Sequence, residues 1–151
     1  MRKSFAALAI ASLVSGPAFA ANTISESMSP GSMLVLSTGG QSMANFYVSA
    51  LDFHSGTSLD QKTLTAIDWD TTYYPEATAE VVDLCFYEPY QAEPARCVDI
   101  APNSNGTSTD FNDLRFEDGV QVSIVHGTDQ ATDTFIYPEG EDSVTLVYEI
   151  E

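Results

Sequence analysis

The chain has 151 residues, 22 of them acidic and five basic, for a formal net charge of −17. This balance excludes nucleic acids and anionic membrane surfaces as partners, since both are recognised through basic patches. The length suits one domain with a core of its own, so the two cysteines supplement that core and do not replace it.

The first twenty residues read as an export address. Arg2 and Lys3 form a basic start, residues 5–14 an apolar run, and Gly16 and Pro17 break it before the small-x-small pattern Ala18, Phe19, Ala20. The apolar run is well short of the roughly 20 residues that span a bilayer. The expectation is a cleaved signal peptide over 1–20 and a single domain over 21–151, with no later membrane span. Removing Arg2 and Lys3 leaves Lys62, Arg96 and Arg115 against 22 acids, a net charge of −19. The acids are scattered through every loop, which favours solubility or tolerance of salt over a dedicated site for cations or a basic partner.

Residues 21–30 are polar and serine-rich and read as a loose lead-in. Residues 32–36 form a short apolar run ended by Gly39 and Gly40. Alternation of Phe46, Val48 and Ala50 with Tyr47 and Ser49, followed by Phe53, predicts a strand over 45–54. A second strand is expected over 64–69, with Thr65, Ile67 and Trp69 on one face and Pro75 beyond its end. Val82, Leu84 and Phe86, then Val98 and Ile100, predict a hairpin with Leu84, Phe86, Val98 and Ile100 on its buried face. Residues 102–110 have loop composition. Val120, Val122, Ile124 and His126 mark one face of the next strand, residues 134–137 a short strand closed by Pro138, and Val144, Leu146, Tyr148 and Ile150 the last strand. No segment after the leader has helical periodicity. Seven or eight strands with one wet face each predict an all-β fold, an antiparallel β-sandwich, with a small β-barrel as the rival.

Cys85 and Cys97 fall on the same outer face of the hairpin. In an oxidising compartment they read as a disulfide; a redox dithiol or a metal site are the alternatives, without the C-x-x-C spacing or further ligands those would want. His54 and His126 have no partner at motif spacing and read as strand-end residues near solvent. Asp68 and Asp70 flank Trp69, Asp110, Asp113, Glu117 and Asp118 form one acidic cluster, and Glu139, Glu141 and Asp142 another. Such clusters suit calcium, although none has EF-hand spacing. Tyr73, Tyr74, Tyr87 and Tyr90 bracket the hairpin and would suit a sugar or peptide platform.

The residues Leu64-Thr65, Trp69, Pro75, Ala79, Leu84-Cys85 and Arg96-Cys97-Val98-Asp99-Ile100, followed by Gly106-Thr107-Ser108, Phe111 and Val144-Thr145-Leu146-Val147-Tyr148, resemble the flagellar FlhE family in kind and order. The segment between the cysteines is longer than the family pattern, and the strong acidity departs from it. The resemblance implies a periplasmic β-sandwich without enzymatic activity; apart from calcium at the acidic clusters, no cofactor is expected. It also implies a protein partner among flagellar rod or export components, in the service of flagellar assembly. The alternative is a secreted acidic binding module for carbohydrate or calcium. No enzyme motif is present.

For a protein-binding role, the expected contact is the edge of the short strand at 134–137, with Phe135, Ile136 and Tyr137 as partner-binding residues. Glu139, Glu141 and Asp142 would favour a basic segment there. The competing reading places Phe135 in the core.

Overall fold

Alternating apolar side chains build the two facing sheets that hold the core. The structure, a computed structural model, describes residues 21–130 and 133–151; the leader expected over 1–20 lies outside them. Among the described residues there are ten strands and no helix. They are β1 (Asn22–Met28), β2 (Met33–Val35), β3 (Gly40–Tyr47), β4 (Lys62–Asp70), β5 (Glu80–Tyr87), β6 (Arg96–Ile100), β7 (Asn105–Ser108), β8 (Gln121–Thr128), β9 (Thr134–Ile136) and β10 (Asp142–Ile150). One sheet has the order β1-β10-β4-β7 and the other β3-β8-β5-β6, all antiparallel, with β2 and β9 forming a separate two-stranded ribbon. The sandwich expectation holds and neither sheet closes into a barrel. Ten strands, rather than seven or eight, carry it.

The two extra strands are polar ones. β1 was expected to be a loose lead-in, and β7 lies in a segment with loop composition. Each pairs through its backbone at a sheet edge, β1 with β10 and β7 with β4, where ladder hydrogen bonds do not require apolar side chains. β1 contributes only Ile24 to the core.

The strand expected over 45–54 starts earlier, at Gly40, and stops at Tyr47. Val48 holds on through two further backbone bonds, donating to the carbonyl of Val120 and accepting from the amide of Gly119. The chain then turns, Asp52 accepting from the amide and hydroxyl of Ser49, and returns Phe53 to the core from a loop.

The face expected for β4 is also revised. Val147 of β10 pairs with Ala66 while Tyr148 pairs with Leu64, so Thr65 is an extra residue, a β-bulge. Leu64 and Ile67 are thereby both fully buried although three residues apart. The displaced Thr65 hydroxyl donates to the carbonyl of Val147.

The core takes Leu64, Ile67, Val144, Leu146 and Tyr148 from one sheet and Ala44, Phe46, Val82, Leu84, Phe86, Val122 and Ile124 from the other. Val98 and Ile100 pack against it as expected of the hairpin. One end is closed by Phe53, Phe116 and Tyr148 in mutual ring contact, with Phe111 stacked on Phe86. A second, smaller core lies under the ribbon at the opposite end and consists of Met33, Val35, Tyr74 and Ile136.

Candidate functional site

The end of the sandwich that carries the ribbon is where polar groups are buried together. His126 continues the inward face of β8 after Val122 and Ile124 and is wholly enclosed. Its Nδ1 donates to Oε1 of Glu80, at the start of β5, over 2.7 Å. Its Nε2 donates to Oδ2 of Asp142, at the start of β10, over 2.8 Å. The two carboxylates are satisfied in turn: Oε2 of Glu80 accepts from the amide of Tyr74 and Oδ1 of Asp142 from the amide of Thr72. Burial alone would pull the imidazole pKa down, but the hydrogen bonds and charges of Asp142 and Glu80 outweigh it and raise it to about 9. The group is therefore an imidazolium at neutral pH.

This corrects the expectation that both histidines cap strand ends near solvent. His54 is exposed in the β3–β4 loop, whereas His126 is a buried tie between three strands and both sheets. It also removes Asp142 from the acidic surface cluster. With both ring nitrogens engaged and no exposure, His126 has no free position for proton exchange with a substrate.

The imidazolium network supports the ribbon. Tyr74 packs edge-on against His126, with ring centroids 5.5 Å apart, and its hydroxyl donates to the carbonyl of Gly31 just before β2. Met33, Val35 and Ile136 cover Tyr74. The hairpin from β2 into β3 turns through Gly39 at φ +95°, where a Cβ would collide with the Thr128 carbonyl. The ribbon is thus anchored on its inner face and at its turn.

Its outer face is apolar and exposed. Ile136 points inward, but Phe135 is 53% and Tyr137 63% exposed, so Phe135 lies outside the core. Phe135 is in register with Leu34 of β2, itself 42% exposed. Asp133, Glu139 and Glu141 flank β9 and are exposed.

Cys85 and Cys97 are directly opposite in the β5–β6 register, with Cα atoms 4.1 Å apart, and form a disulfide. This fits an oxidising compartment. Two residues further along the same face, Asp83 faces Asp99. Burial, followed by the hydrogen bond and charge of Asp99, raises the Asp83 pKa.

The other candidates separate. Asp113 pairs with Arg96, Glu117 with Arg115, and Asp118 accepts from the Tyr90 hydroxyl. Asp68 accepts from the Thr107 hydroxyl on the outer face of β4. Among the described residues no group of three His, Cys, Asp or Glu side chains has an arrangement that could hold a metal ion. The four tyrosines form no common platform: Tyr74 is buried beneath the ribbon, while Tyr90 lies against Gly119 near the opposite end. Sequence reasoning missed Glu80 and the His126 tie. The only available signal was that His126 shares a face with Val120, Val122 and Ile124, which implied burial and hence a need for partners.

No protein-family model matches the chain, and no curated protein matches it. Among solved structures, the chain is similar to one titled "Crystal Structure of FLHE", with a TM-score of 0.56 and 12% identity over 85% of this chain and 97% of that one. The FlhE-like fold expected from the matching residues between Leu64 and Tyr148 is the fold of this chain.

Proposed function

We propose that this chain is a non-enzymatic, periplasmic accessory protein of flagellar assembly or export, chaperone-like and acting by contact with another protein. The observation that carries the reading is the likeness to the FLHE structure over nearly the whole of that chain. The Cys85–Cys97 disulfide supports an exported location, and residues 1–20 would supply the leader that delivers 21–151 there. The full engagement of His126 supports a role other than acid–base catalysis.

The test is genetic. Deleting the gene from its host should change flagellar number or swimming, and the full chain should restore the wild-type behaviour. A version lacking residues 2–20 should not restore it. Unchanged flagella and motility in the deletion strain would overturn the reading.

A further inference from the structure

We propose that the open edge of β9 receives an extended, basic segment of another protein as a third strand of the β2–β9 ribbon; this rests on the protein-binding reading above. Among the described residues β9 pairs only with β2, and no backbone group of Thr134, Phe135 or Ile136 hydrogen-bonds to any other segment. An unpaired strand edge presents N–H and C=O groups that a further strand satisfies. The inner face of the ribbon is fixed by Ile136 in the second core, so the edge is held in shape before binding.

The outer face specifies the incoming residues. Leu34 and Phe135 form a cross-strand apolar row that ends at the open edge. An apolar side chain opposite Phe135 would extend that row and cover part of both. Charge specifies what flanks it. The three lysine and arginine side chains of the described residues are at the other end of the sandwich: Lys62 over Phe53, Arg96 on Asp113 and Arg115 on Glu117. The ribbon end has Asp133, Glu139 and Glu141 exposed and, as its one cation among the described residues, the buried His126. Lysine or arginine on either side of the apolar residue would meet these acids. A second copy of this chain fits poorly, because it would bring like charges together. Of the other edges of the two large sheets, β1 and β7 are polar, β6 carries Arg96 and β3 contains no acidic residue.

The probe is a fluorescently labelled ten-residue peptide alternating lysine and valine, titrated against the mature protein and followed by anisotropy. Wild-type protein should bind it, and Phe135→Asp should weaken binding at least tenfold. Tyr47→Asp, an equally exposed site at the far end, should leave binding unchanged. Binding should also slow amide exchange at residues 134–136. Equal affinity for a peptide with proline at alternate positions, which cannot pair as a strand, would overturn the proposal. So would undiminished binding by a folded Phe135→Asp variant, or a wild-type dimer that this variant dissociates. Purified rod subunits separate the two readings. Subunits that bind wild type and Phe135→Asp equally would remove the edge proposal and leave the flagellar reading standing. Peptide binding at β9 with no subunit binding would do the reverse.

Discussion

Nε2 of His126 on β8 donates to Oδ2 of Asp142, the first residue of β10, over 2.8 Å, and this bond joins the two sheets at the end where the ribbon docks. Glu80 holds the other side of the same ring from β5. Breaking a buried ion pair by removing one partner costs on the order of 3–5 kcal/mol, since the remaining charge is left uncompensated. Asp142→Ala should therefore lower the unfolding free energy by about that amount in urea titrations. A loss below about 1 kcal/mol would show that the tie contributes little.

The same tie makes stability depend on pH. The His126 pKa is raised from 6.5 to about 9 on folding, so its contribution is fully present below pH 6.5 and is lost as pH rises through 9. At about 1.4 kcal/mol per pH unit, the loss should be about 3 kcal/mol. Urea unfolding at intervals from pH 6 to pH 10 should show this decline, and a folded His126→Gln variant should lack it. A flat profile for wild type over that window would contradict the raised pKa.

The disulfide closes a short loop, with a sequence separation of 12. Chain-entropy arguments give about 3 kcal/mol for such a crosslink. Protein purified without reductant should show no reactive thiol under denaturing conditions, and reduction should lower the urea midpoint while leaving the fold intact. Two thiols per chain before reduction would refute the bridge.

Gly106 of β7 faces Trp69 of β4 across the ladder, and a Cβ there would lie 2.7 Å from Cζ2 of the indole. The indole is partly buried and packs against the main core. Gly106→Val should cost about 1–3 kcal/mol by overpacking and shift the emission of the single tryptophan. Wild-type stability with unchanged emission would mean that the β7 edge yields freely.

The net charge of −17 predicts self-repulsion that salt relieves. Screening acts over about 8 Å at physiological ionic strength. The melting temperature should rise smoothly with NaCl, and calcium chloride at matched ionic strength should give the same rise. A step at sub-millimolar calcium, reversed by chelator, would instead reveal a specific cation site.

What the sequence determined by itself was whatever rests on local alternation. Leu84, Phe86, Val98 and Ile100 declared a hairpin with a buried face, and the same period placed Cys85 and Cys97 together on the other. Strands β8 and β10 were legible for the same reason. Tertiary structure alone decided what depends on partners distant in the chain. The polar strands β1 and β7 exist because β10 and β4 offer them backbone bonds, and no side-chain pattern records that. The inward turn of Leu64 depends on a bulge set by the register with β10. His126 was visible on an apolar face, but its meaning depended on Glu80, 46 residues before it, and Asp142, 16 residues after it. A buried charge is stable only where opposite charges converge on it, and that convergence exists only once the sheets have packed.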